Sequence, residues 1–386
     1  MKKRICLLFL TLSLLPLGGC GGDLFFRDQR EIDQLVLVQT LGVDRSGKLY
    51  RVSASAGEEG EVLLQSSTVT IRRAMEEMQE YTEQKYIFYG HTRHLLLGET
   101  AARSSLRDCL SYVERDGEIR LDTNLFVVQG GTAEDVILQA ENAEGSVGDL
   151  LESLARDVEI LGESHVYSCG EVAEALAEKG CALAAAVILT PSDRDLSGEK
   201  DTAIQGCGYA VLLDSGLCRF LDQNLSRGVN LLTGETQGDV VEAPDGAGDW
   251  FAARLTGSRA AFEPAFSGGE LTGLRIRIQI QCSLDEVHSL LDLNSEETIR
   301  TMEAGLAGLE QHRVEEVIRI SQELGADFCG LGQNARMAAS WRFDGMETHW
   351  EEAFPALPIV AEVTAKLQRS YDGSVSPVHD EEESGK

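Results

Sequence analysis

Positive charge is scarce in this sequence. Its 386 residues hold 34 lysines and arginines against 64 aspartates and glutamates, a formal net charge of −30 at pH 7. A nucleic-acid binder meets phosphates with a positive surface, so this balance argues against that class. It equally opposes electrostatic docking on an anionic bilayer, and any membrane attachment has to come from another device. Apolar runs of spanning length are missing too. A helix needs about 20 such residues to cross, and beyond the N-terminus the longest run, Ala182 to Leu189, suits a buried strand. There is no CxxC pair, which leaves a structural zinc site without its ligand spacing. GxSxG, HExxH and the Walker phosphate loop are absent as well. No catalytic constellation is legible, and no cofactor or metal is expected.

The bulk composition is that of a folded protein, with 43% hydrophobic and 25% charged residues. At roughly 150 residues per domain the length suggests two or three domains, enough to bury a core without disulfide or metal staples.

The N-terminus supplies the missing membrane device. Lys2, Lys3 and Arg4 precede an apolar stretch from Ile5 to Leu17 that has the length of a signal-peptide core. It ends in Leu17-Gly18-Gly19-Cys20, small residues before a cysteine, as in a lipobox. Residues 1–19 are therefore read as a lipoprotein signal peptide and Cys20 as the lipidation site, an N-palmitoyl, S-diacylglycerol cysteine. Acyl chains in that number hold a protein on a bilayer where one is marginal, at about 0.8 kcal/mol per buried CH₂. Loss of the leader removes three basic residues and leaves the mature chain still more acidic. Of the 9 cysteines, Cys6 leaves with the leader and Cys20 is acylated. Cys109, Cys169, Cys181, Cys207, Cys218, Cys282 and Cys329 remain, an odd set lying mostly in apolar segments. They read as small buried hydrophobes, with a Cys207–Cys218 bridge across a hairpin as the alternative.

Periodicity lays out the rest. Strands are expected over Leu35–Val43, Lys48–Ala56, Tyr86–Tyr89, Arg93–Leu97, Leu125–Val128 and Ala182–Leu189. Helices are expected around Ile71–Met78 and Leu106–Val113, and over Val147–Leu154 and Glu171–Glu178. Pro191–Asp201 reads as a linker, Gly206–Leu213 and Leu217–Leu221 as a hairpin, and the Gly- and acid-rich Gly234–Asp249 as an exposed loop. Ala252–Phe262 and Leu274–Ser283 form a longer antiparallel pair, with Ile276, Ile278, Ile280 and Cys282 on one face. Glu296–Leu324 has 3-and-4 apolar spacing, a cap at Asn294 or Ser295 and a stop at Gly325. Its stripe, Leu306 and Leu309 included, is expected to cross the sheet that holds Ile276, Ile278 and Val363. The last strand alternates from Ile359 to Leu367, and the tail from Ser374 is polar and acidic.

The expected fold is α+β, two to three mixed α/β domains in which sheets pack with helices, with a long helix across the C-terminal sheet. The boundaries are 20–190, a linker at 191–203, a second unit at 204–372 (whole, or split into 204–250 and 251–372) and a disordered tail at 373–386. Two local patterns are set aside. Gly330-Leu331-Gly332-Gln333-Asn334-Ala335 matches the dinucleotide fingerprint in letters, but a helix precedes it where the fingerprint needs a strand. His91 and His94 are close in sequence, yet at that spacing on a strand or loop they face opposite ways.

Several short motifs recur in a fixed order. Arg30-Glu31-Ile32-Asp33-Gln34-Leu35 runs into Leu41-Gly42-Val43-Asp44, and Phe88-Tyr89-Gly90-His91 into Leu95-Leu96-Leu97-Gly98-Glu99. Gly325-Ala326-Asp327-Phe328-Cys329-Gly330-Leu331-Gly332 follows the long helix, and Trp341, Trp350 and Phe354-Pro355 precede the closing strand. With the lipobox, this series resembles the Ger(x)C family, the lipoprotein C subunits of GerA-type spore germinant receptors, from Arg30 to Tyr371. Family members commonly carry a tryptophan soon after the lipid cysteine, where Phe25 and Phe26 stand here. The family's FGFG-like passage is Phe328-Cys329-Gly330-Leu331. The resemblance implies several small mixed α/β domains without known catalytic activity. It implies lipid anchoring on the outer face of the spore inner membrane, and germinant-receptor A and B membrane subunits as partners. Only Cys20 carries over as a functional residue. The other readings are a solute-binding lipoprotein of a transporter, which would show two similar lobes, and an anchored hydrolase, whose constellation is missing.

Overall fold

In the computed structural model the described residues are 34–368, apart from 57–61, 83–84, 141–145, 161, 193–200, 237, 247, 269, 289–290 and 340–349. The signal peptide, Cys20, Trp341, the middle of the expected linker and the acidic tail lie outside them. The first apolar run forms β1 (Leu35–Ser46), which turns into β2 (Leu49–Ala56) and β3 (Val62–Thr68) as an antiparallel meander. Next come α1 (Ile71–Glu80), β4 (Tyr86–Phe88), β5 (His94–Leu97), α2 (Glu99–Arg115) and β6 (Asn124–Val128). Three helices follow, α3 (Ala133–Ala140), α4 (Val147–Ile160) and α5 (Cys169–Lys179), before β7 (Cys181–Ser192). The hairpin β8 (Asp201–Leu213) and β9 (Gly216–Leu221) completes a nine-stranded sheet of order β3-β2-β1-β5-β6-β7-β8-β9, with β4 beside the start of β1.

The centre of this sheet, β1, β5, β6 and β7, is parallel, which requires covered faces. Helices α1, α2 and α5 cover one face through Met75, Met78, Leu106, Leu110 and Val172, all buried. Helices α3 and α4 cover the other through Val136, Ile137, Val147 and Leu151. Helix α5 starts with a capping box, Ser168 bonding the Glu171 N–H while the Glu171 carboxylate takes the Ser168 N–H.

The second half opens with α6 (Gln223–Thr233), capped by Asp222. A four-stranded sheet follows, β10 (Val240–Pro244), β11 (Trp250–Ser267), β12 (Glu270–Val287) and β13 (Ile359–Gln368), in that order across. Helix α7 (Glu296–Leu324) is capped by Ser295 and stopped at Gly325. Met302, Leu306, Val314, Val317 and Ile320 of α7 share one core with Ile276, Ile278, Ile280, Cys282, Ala361 and Val363. Short helices α8 (Leu331–Ala338) and α9 (Trp350–Ala353) lie between α7 and β13. The expected α+β architecture, with a long helix on the C-terminal sheet, is the one found.

Three local readings are corrected, and one alternative is not found. The expected linker at 191–203 begins and ends in strand: Pro191 pairs with Thr202 and Ser192 with Asp201. Twelve-residue pairing with β8 prevails there over proline and charge, and β6 no longer flanks β7 at that point. The expected exposed loop at 234–249 contains β10, whose Val241 and Ala243 are buried. Leu309 is only partly buried, because Glu310 and Arg313 take the inward positions beside it. Cys207 and Cys218 are both free, since the β8–β9 register places Cys218 beside Val211 and Leu212.

Two outcomes follow. Leu306 has no exposed surface, so Leu306→Ala should lower unfolding stability by about 2–5 kcal/mol, and an unchanged denaturation midpoint would reject the packing. His94 is also fully buried, beside Phe126, with the Glu152 carboxylate 3.7 Å from Nε2. Burial pushes its imidazole down to about 4 from 6.5. Between those pH values the unfolded chain binds a proton that the folded chain refuses, so the stability contributed by neutral His94 is lost as pH falls through that window. His94→Leu should flatten the dependence of stability on pH there; an equal slope in both proteins would contradict a buried neutral histidine.

Candidate functional site

Among the described residues, two of the motifs singled out in the sequence build tight local structures. At the C-terminal ends of β1 and β5, the buried Asp44 carboxylate accepts the backbone N–H groups of Ala133 and Glu134 at 2.9 and 3.0 Å. It caps α3 from 89 positions away. A Cβ on Gly98 would lie 1.8 Å from Asp44 Oδ1, so only glycine fits. Glu99 accepts the Gly130 N–H at 2.7 Å. Burial raises the Asp44 carboxyl and the two N–H donors pull it back. Asp44 is satisfied by backbone N–H groups, and Glu99 by the Gly130 N–H together with the Arg103 guanidinium at 2.8 Å, so the knot holds loops in place.

The second is the Gly325–Gly332 passage. Asp327 turns back on α8, accepting the N–H groups of Leu331 and Gly332, each at 2.7 Å, and the Trp350 Nε1–H at 3.1 Å. Burial pushes its carboxyl up and these donors oppose the shift. The N–H groups that a pyrophosphate would need at this helix start are thus occupied by the chain's own carboxylate. The letters of the dinucleotide fingerprint therefore describe a tight turn out of a helix. Trp350 lies on Gly332, where a Cβ would meet the indole at 2.5 Å, and stacks on Phe354 with centroids 5.4 Å apart.

Around this corner a cleft runs between α5 and α8. Two adjoining hollows of about 450 and 530 Å³ share Glu178, Lys179, Gly330 and Gln333. Tyr167 and Phe328 line one hollow, Trp350 and Phe354 the other. The walls come from opposite halves of the chain and are fixed by buried hydrogen bonds. Tyr209 Oη donates to Asn230 Oδ1 at 2.7 Å and accepts the His165 N–H at 2.6 Å. Asn230 Nδ2 donates to the Gly162 carbonyl at 2.8 Å.

Chemistry in this cleft is limited by its own groups. Cys181 and Cys329 are buried thiols; burial pushes Cys181 up to about 12 and Cys329 well above its ordinary value, so both stay protonated and poorly nucleophilic. Among the described residues no three His, Cys, Asp or Glu side chains converge to hold a metal ion. His91 contacts Arg93 while His94 points into the core, so they are not brought together. Cys20, the one site residue expected from sequence, lies outside the described residues. What sequence reasoning missed is the cleft itself. The Asp327–Trp350 bond joins residues 23 apart, and the α5 wall comes from a distant segment, so no local spacing signals it.

Residues 28–189 match a family model described as "Spore germination protein N-terminal domain", and residues 207–371 one described as "Spore germination B3/ GerAC like, C-terminal". A crystal structure of the GerBC protein is similar in fold, with a TM-score of 0.57 at 16% identity, over 85% of this chain and 96% of that one. No curated protein matches the sequence.

The Trp350 packing is testable. Gly332→Ala should drive the indole off Gly332 at a cost of about 1–3 kcal/mol. With Trp250 and Trp341 replaced by phenylalanine, the remaining emission should shift to the red; an unshifted spectrum would mean that the indole does not rest there.

Proposed function

We propose, from the premise that the chain belongs to the Ger(x)C family of spore germination proteins, that it is the lipid-anchored, non-catalytic C subunit of a germinant receptor, required for nutrient-triggered germination through assembly with the A and B membrane subunits. The observation that carries this reading is the pair of family matches, collinear from residue 28 to residue 371. Lipidation at Cys20 accounts for attachment at the outer face of the spore inner membrane. Among the described residues no helix is long and apolar enough to cross a membrane. The roughly 14 residues between Cys20 and Leu35 reach up to about 50 Å when extended, enough to stand the folded part clear of the lipid headgroups. The protonated thiols and the self-satisfied carboxylates support an assembly role over chemistry. Unequal halves, a nine-stranded and a four-stranded sheet, disfavour the two similar lobes of a solute-binding lipoprotein.

Cys20→Ala should abolish acylation and move the chain from the membrane to the soluble fraction when the partner subunits are absent. Deleting the gene should remove the response of spores to the germinants of its own receptor and spare non-receptor triggers. Full membrane retention of the variant would reject the anchor, and unchanged germination across a germinant panel would reject the role.

A further inference from the structure

Resting on the reading of the chain as an assembly subunit, we propose that the cleft between α5 and α8 is the docking groove for a positively charged, extended segment of a partner protein, seated by one aromatic or aliphatic side chain. The groove has an apolar wall and a charged rim, the arrangement of a protein-docking site in which a buried anchor supplies affinity and surrounding charge supplies selection. The wall is the half-buried Trp350 indole, backed by the buried Phe354 ring on which it stacks. Because the Trp350 Nε1–H is already bound to Asp327, the indole is held in place before any partner arrives. Met337, 67% exposed, lies one turn beyond Gln333 on α8.

The rim selects the sign of the occupant. Glu174 and Glu178 of α5 and Glu351 of α9 line the cleft and have no ion-pair partner among the described residues. Lys179 and Arg336 are the cations that face them. The chain's formal charge of −30 deepens the negative field around the mouth, which draws a cationic segment in and repels an acidic one. The groove is formed by both halves of the chain, so a segment lying in it reads their relative placement as well as their charge.

The test uses the full-length, lipidated chain co-expressed with its A and B membrane subunits. A photo-crosslinking amino acid placed at Gln333 should capture one partner segment rich in lysine and arginine, and the same group at Thr256, on the exposed face of β11, should not. The double reversal Glu174→Lys with Glu178→Lys should cut partner recovery at least tenfold. Raising salt should weaken recovery of the parent complex as well. Reversing the charge of the captured segment should restore recovery, a result that misfolding of the variant could not give. Capture of a second copy of this chain, capture of an acidic segment, or undiminished recovery of the double variant would overturn the groove assignment while leaving assembly intact. Failure of the parent chain to recover any partner subunit would overturn the assembly reading and the groove together.

Discussion

The pairing of β7 with β8 is the interaction on which the rest of the molecule depends. The two family matches stop at residue 189 and resume at residue 207. The strands on either side are hydrogen-bonded neighbours, from Cys181 opposite Leu213 to Ser192 opposite Asp201. The first sheet therefore finishes with strands that the second half provides. Tyr209 on β8 then ties Asn230 of α6 to the Gly162–His165 passage of the first half. Separating the halves would break a long antiparallel ladder and strand buried polar groups, each costing on the order of 1–3 kcal/mol unless it is satisfied again. The cleft beside α5 is thus fixed by the continuity of the sheet.

Scarce cations are placed inside this frame as well as on its surface. Between α6 and α7, Arg313 pairs with the buried Glu310 and donates to Asn224 Oδ1 at 2.6 Å. Arg227 meets Asp239 at 2.6 Å. Burial pushes the Glu310 and Asp239 carboxyls up, and Arg313 and Arg227 oppose that shift. A buried carboxylate stripped of its partner is destabilising by roughly 3–5 kcal/mol, which makes such pairs better at specifying how α6 sits on α7 than at adding net stability. They also explain why Leu309 is displaced from the core position that its spacing suggested.

Much of the fold was legible where burial follows a simple period. Helix α7 appears at Glu296–Leu324 with its Ser295 cap and Gly325 stop, and β12 and β13 alternate as their residues imply. The misses have physical reasons. Helix α3 is only eight residues long, and although Thr132 caps it locally through the Asp135 N–H at 3.0 Å, its first two N–H groups are met by Asp44, far off in sequence. In α6, Gly228 and Asn230 interrupt the apolar spacing; both are buried, Gly228 against the α7 backbone at Arg313 and Asn230 on Tyr209. Strand β10 hides in an acidic stretch because its flanking Asp239 and Asp245 are themselves buried. The cleft was illegible for a similar reason, as its parts meet through long-range contacts: the β7–β8 ladder, the Tyr209–Asn230 hydrogen bonds and the Asp327–Trp350 bond.

On the reading proposed above, the chain is an assembly component at a membrane, held there by a lipid at Cys20. Native mass spectrometry of the tagged chain, isolated from solubilised spore membranes, tests that claim most directly. The account predicts a complex containing this chain and the two multi-span subunits, with the chain's mass beginning at Cys20 and raised by its acyl groups. Recovery of the chain alone, with an unmodified N-terminus, would contradict it.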